Sequence, residues 1–204
     1  MKLNSQLIAA SLLSVCLTWP AFAKVEEYVI DKSHSKVGFE IAHLVISTVE
    51  GQFNEFSGSL FLNPDKLAES GKKPFVTATV DVNSIDTGIE KRDKHLRSND
   101  FFDVKKYPKM TFTAKKISKL DDKEFELTGD LTIKDKTHPV TFEMEYKGSV
   151  TAYEVKRVAF EGEAKISRKK FGLTWNNVVE AGPVVGDKVK IELIVQAKRK
   201  ADMS

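Results

Sequence analysis

The stretch Phe125-Glu126-Leu127-Thr128-Gly129-Asp130-Leu131-Thr132-Ile133 decides the fold class. Every second residue is apolar or glycine, and the residues between are Glu, Thr, Asp and Thr. Successive side chains on a strand point to opposite faces, so this period of two marks a strand buried on one side.

The same alternation recurs on both sides of it. It is visible over residues 37–43, over 49–62 with a break after Phe53, and over 76–82, 110–114, 140–146, 158–166 and 189–195. Turn signals separate several of these segments: Asn63-Pro64-Asp65, residues 119–123, residues 135–139 and Val185-Gly186-Asp187. Eight one-faced strands with short links predict an all-β chain, a closed antiparallel barrel or a sandwich. A membrane-spanning barrel alternates too, with its apolar face outward. Here the other face is dense in Lys, Glu and Thr, and eight strands enclose little room for long charged side chains. The apolar face is therefore expected inside.

One segment leaves the strand rhythm. Thr87 followed by Glu90 reads as a capping box, and Ile89 and Leu96 share a helical face with Asp93 between them. The expectation is a helix over about residues 88–97, placed to cover an open barrel end. Its exposed side would carry the acid-first pairs Glu90–Lys94 and Asp93–Arg97.

Residues 1–23 read differently from the rest. A basic start at Lys2, an apolar run to Leu17 and the small pair Ala21 and Ala23 form a Sec-type secretory signal pattern. The run is too short to span a bilayer. Cleavage after Ala23 would leave residues 24–204 as a single domain and remove the only cysteine, Cys16. That excludes thiol chemistry and thiolate metal sites from the mature chain. The whole chain of 204 residues carries 32 basic and 29 acidic residues, a net charge of +3, too little for a nucleic-acid-binding face.

Few motifs carry chemistry. His34, His43, His95 and His138 lie in four separate segments without metal-ligand spacing. No nucleophile elbow or glycine-rich phosphate loop occurs. Residues 90–97, Glu-Lys-Arg-Asp-Lys-His-Leu-Arg, are the densest polar cluster. They suit a solvated helix face, a general acid–base site, or a gate in which Arg92, His95 or Arg97 meets a ligand head group. The inward faces carry many phenylalanines beside Gly51, Gly58, Ala78, Gly129 and Gly162. Small inward residues either fit the taper of a filled barrel or leave room for a ligand, and the pattern leaves both open.

Several stretches resemble the YceI-like family of periplasmic lipid-binding proteins. They are Tyr28-Val29-Ile30-Asp31 with His34-Ser35, Gly51-x-Phe53-x-x-Phe56-x-Gly58, Arg92-Asp93-x-His95-Leu96-Arg97-Ser98-x-Asp100-Phe101-Phe102-Asp103-Val104 and Phe171-Gly172-Leu173-x-Trp175. The resemblance implies an extended, eight-stranded, lipocalin-like antiparallel barrel whose tunnel holds a polyisoprenoid or another long-chain, fatty-acid-type amphiphile. It also implies a secreted carrier without cofactor or metal, often homodimeric, with transient membrane contact. The tunnel would be lined by Phe39, Ile41, Val49, Phe53, Phe56 and Leu60 from the early strands. Val80, Val82, Phe112, Leu127 and Leu131 would follow, then Phe142, Met144, Phe160, Phe171, Trp175 and Leu193. His43, Arg92, His95 and Arg97 would form the polar gate. Lys134-Asp135-Lys136 stands where the family turn before Thr137 would have a glycine. Two other readings are an enzyme built on residues 92–97 and a solid-barrel stress-response module with no ligand.

Overall fold

The computed structural model describes residues 25–203 except 45, 65, 68–75, 122, 177 and 180–181, so the signal-peptide and Cys16 readings lie outside the described residues. Each alternating segment becomes a strand whose neighbours in the barrel satisfy its backbone groups. The early strands work in pairs laid end to end. β1 (Glu26–Ile30) and β2 (Lys36–His43) both run along β13 (Val185–Arg199), with Ile30 opposite Ala197 and Lys36 opposite Ile194. β3 (Ser47–Phe53) and β4 (Phe56–Leu62) form the next lane, with Phe53 opposite Val37 and Ser59 opposite Val29. β5 (Val76–Asp81) and β6 (Ile85–Asp86) form the third. β7 (Lys109–Asp121), β8 (Glu124–Ile133), β9 (Lys136–Ala152) and β10 (Val155–Ser167) follow singly, and β10 returns to β13, while β11 (Val178–Val179) and β12 (Gly182–Pro183) pair in a separate two-stranded sheet. Counted by lane, this is a closed, eight-stranded antiparallel barrel.

The three split lanes break side by side, at residues 31–35, 54–55 and 82–84. Hydrogen bonds cross the break: Asn54 N–H to the Ser84 carbonyl at 3.1 Å, Asp81 N–H to Glu55 at 2.9 Å and Val82 N–H to Pro108 at 2.8 Å. The sequence shows the second break, after Phe53, but not the other two. β1 is short and shows no clean alternation; Val82, expected on a strand face, lies in a 3-10 turn (Val82–Ser84).

The apolar face is inside. Along β8, Phe125, Leu127, Gly129, Leu131 and Ile133 are buried while the residues between are not. Outside, Lys147 pairs with Glu145 and Glu161, and Lys190 with Glu163 and Glu192. This is the reverse of the pattern of a lipid-facing barrel. Fully burying each large apolar side chain contributes roughly 1.5–3 kcal/mol.

The helix, α1 (Glu90–Arg97), starts two residues later than expected. The capping box does not form: no side chain caps the residue before it, and the acid that reaches Thr87 is Asp93, not Glu90. Neither expected ion pair forms. Asp93 turns inward, and Arg97 donates to the carbonyls of Asn83 at 2.8 Å and Ile85 at 2.6 Å. The expected turn at 135–139 is confined to Lys134 and Asp135; β9 already runs through His138 and Pro139. Lys134 adopts left-handed backbone, φ 56°, at roughly 1 kcal/mol. Its ammonium donates to the Phe101 carbonyl at 2.9 Å and so ties this hairpin to the loop after α1. Val185-Gly186-Asp187, expected as a turn, opens β13 across a register irregularity.

Candidate ligand-binding cavity

The inward faces do not meet. They enclose a cavity of about 640 Å³, within the size range of small-molecule sites. The barrel is therefore not solid. Its lining runs from Leu62 and Val76, where β4 leads toward β5, to His43 and Val185 at the end bordered by α1.

The small inward residues do not create this space directly. A Cβ on Gly51 would run into the Phe39 ring directly opposite, and one on Gly162 into the Met144 thioether opposite it. Each glycine seats a large neighbour, which lies flat against the wall. The room arises because large side chains lie along the barrel wall.

From the expected tunnel set, Phe39, Ile41, Val49, Phe53, Phe56 and Leu60 line the cavity. So do Val80, Phe112, Leu127, Leu131, Phe142, Met144, Phe160, Trp175 and Leu193. Two do not. Val82 is 1% exposed and packs below the third lane's break, away from the cavity. Phe171 is also 1% exposed; it lies in a 3-10 turn (Arg168–Phe171) and meets the His138 ring edge-on at 5.0 Å. The sequence placed both by apolarity alone, and a buried apolar residue off the wall looks the same.

The gate residues separate in the same way. His43, Arg92 and His95 line the cavity, whereas Arg97 staples the end of α1 to the third lane. Arg92 braces the residues ahead of the helix, Nε to the Thr87 hydroxyl and Nη2 to the Thr87 carbonyl, both at 2.7 Å. His95 meets Trp175 edge-on at 4.9 Å and Phe101 at 5.1 Å, and its Nε2 pairs with Asp100 at 2.9 Å. Helix and returning segment thus close on each other through one imidazole and one indole.

Arg168 is the charged cavity-lining residue that the sequence does not single out. It stands between Ser167 and the basic pair Lys169-Lys170, yet Arg168 is 2% exposed and lines the cavity. Its guanidinium donates to the carbonyls of Gly186 at 2.7 Å, Leu173 at 2.5 Å, Trp175 at 2.9 Å and Val185 at 3.3 Å. Burial lowers its pKa, and the nearby charge of Asp187 opposes that shift. Burial pushes the Asp187 carboxyl up, but the Ser167 hydroxyl and Lys169 N–H outweigh it and hold it below the usual range. Ile117 was missed for another reason. A register shift between Ala114 and Lys116 flips the phase of β7, so the alternation ending at Ala114 resumes out of step. Among the described residues, no three His, Cys, Asp or Glu come together to hold a metal ion.

With this geometry in place, comparison with known proteins is informative. Residues 28–197 match the model of the YceI-like domain. Protein YceI of Salmonella newport is 36% identical over 199 residues, 96% of this chain and 97% of that one. Among solved structures, Burkholderia cenocepacia BcnA superimposes with a TM-score of 0.71 at 27% identity, covering 82% of this chain and 98% of BcnA. A polyisoprenoid binding domain from Saccharophagus degradans superimposes at 0.63, covering 86% and 99%; at 15% identity it speaks to the fold alone.

Proposed function

The chain belongs to the YceI-like family, and from that premise we propose that it is a binding and transport protein whose barrel holds one long-chain amphiphile, a polyisoprenoid or a fatty-acid-type lipid. The observation that carries this reading is the cavity of about 640 Å³ walled by the inward apolar faces. Each methylene buried there contributes about 0.8 kcal/mol, so affinity grows with tail length. The fold shared with the Saccharophagus degradans domain, named for polyisoprenoid binding, is in keeping with it.

In this reading residues 1–23 are an export signal cut after Ala23, and the mature chain works in the periplasm as a homodimer with transient membrane contact. The basic start, apolar run and Ala21-x-Ala23 pair support the export step. The protein acts by holding rather than by turnover, without a cofactor. In keeping with that, Asp93 and Arg97 of the 92–97 run serve the cap itself.

Native mass spectrometry of the chain purified from its source, followed by organic extraction, should find a long-chain amphiphile. A chain that carries none, and takes up none when offered, overturns the reading.

A further inference from the structure

Five ionisable side chains line the cavity, His43, Lys91, Arg92, His95 and Arg168, and all five are bases. The chain as a whole has 29 acids against 32 Lys and Arg and four His, so a lining with five bases and no acid does not simply mirror its composition. All five sit at the α1 end: His43 closes β2, Lys91, Arg92 and His95 lie on α1, and Arg168 follows β10. The opposite end, around Leu62 and Val76, contributes apolar side chains.

Several of these donors are unused. Nε and Nη2 of Arg92 go to Thr87, which leaves Nη1 without an acceptor among the described residues. Lys91 and the His43 ring make no hydrogen bond or ion pair among the described residues. Arg168 spends its donors on backbone carbonyls and has no carboxylate at ion-pair distance. Asp187 acts on Arg168 only from beyond ion-pair distance, and a buried cation held at contact by dipoles alone still favours a counter-charge nearby.

We propose that this end of the cavity takes the anionic head of the ligand, a carboxylate or a phosphate, while the apolar tail runs toward Leu62 and Val76. The inference rests on the carrier reading above and narrows it to acidic amphiphiles. Arg92 offers a planar donor edge suited to either oxyanion, and Lys91 adds a mobile point charge at the lip.

The test is displacement of Nile red, a neutral probe, from the purified chain by three ligands with one tail: hexadecanoic acid, hexadecyl phosphate and hexadecan-1-ol. The acids should compete at about tenfold lower concentration than the alcohol, the scale of a charge-assisted hydrogen bond. Lys91→Gln and Arg92→Gln should each shrink that gap, weakening competition by the acids more than competition by the alcohol. Lys91→Gln removes no internal contact, so it keeps the test sound if Arg92→Gln disturbs the cap. Preference for one acid alone supports the proposal and assigns the head. Equal competition by all three overturns it while the carrier reading stands. If none of the three competes, the carrier reading falls and the proposal with it.

Discussion

Thr87 donates both its N–H, at 3.0 Å, and its hydroxyl, at 2.5 Å, to the same carboxylate oxygen of Asp93. Asp93 is 6% exposed, so this bond pair links the residues before α1 to its first turn, largely out of water. Asp93→Ala leaves two part-buried donors of Thr87 unpaired and should cost about 2–3 kcal/mol in urea denaturation. Asp93→Asn keeps an acceptor oxygen and should cost roughly half as much. Equal losses would mean that Asp93 acts through its charge.

Arg168 holds four carbonyls that span residues 173–186. A lysine places one ammonium where a guanidinium fork reached four acceptors, so Arg168→Lys is not conservative here. It should lose about 3 kcal/mol, with faster amide hydrogen exchange through residues 173–186 than in the β8–β9 hairpin. Uniform acceleration over the whole barrel would show a global effect instead.

Gly162 and Met144 face each other across β10 and β9, with the thioether over the space a Cβ would fill. Gly162→Ala should therefore destabilise by about 1–3 kcal/mol through overpacking. In a Met144→Ala background the same change should cost little, giving a coupling of at least about 1 kcal/mol in a double-mutant cycle. Additive costs would show that the contact does not govern the site.

Such facing pairs explain how much could be read beforehand. Phe125 to Ile133 announced its strand because one face is wet and one dry, and that contrast is local. The lane count followed, since each lane contributes at least one alternating stretch even where it is broken or changes phase. The Phe39 and Met144 side chains lying over opposite glycines and the phase flip before Ile117 depend on strands more than ten residues away, and the burial of Arg168 depends in part on Val185 and Gly186, equally distant. Arg97 and Arg168 show this most sharply. Arg97 stood among the gate candidates and Arg168 in an irregular stretch, and backbone carbonyls brought to them by the fold make both internal struts.

Asp31 sits at the break in the first lane, 8% exposed, accepting from Lys198 and His34 at 2.9 Å each and from Gln196 at 3.3 Å. Burial pushes its carboxyl up, but the bonds and charges of Lys198 and His34 outweigh this and hold its pKa below the ordinary 3.8. Its folded pKa is thus depressed. The stabilisation is full above the unfolded value and is lost as pH falls through the folded one. Denaturation midpoints should drop below about pH 4, and Asp31→Asn should flatten part of that acid limb. A limb unchanged in Asp31→Asn would place the acid lability elsewhere.

Ile41 and Val49 oppose each other on β2 and β3, two positions inward from His43, and both line the cavity. In a filled core, enlarging either to tryptophan would strain the barrel by about 1–3 kcal/mol. Over an open cavity the indole has somewhere to go, and it gains apolar burial as it enters. Ile41→Trp and Val49→Trp should therefore keep the thermal midpoint within a few degrees of the parent while weakening Nile red uptake at least about tenfold. The two readouts move oppositely under the two structures. A packed interior loses stability and has no uptake to lose, whereas an open one loses uptake and keeps stability. Unfolding of both variants at low temperature, with no bound lipid in the parent, would mean that the space between these walls is not available to a ligand.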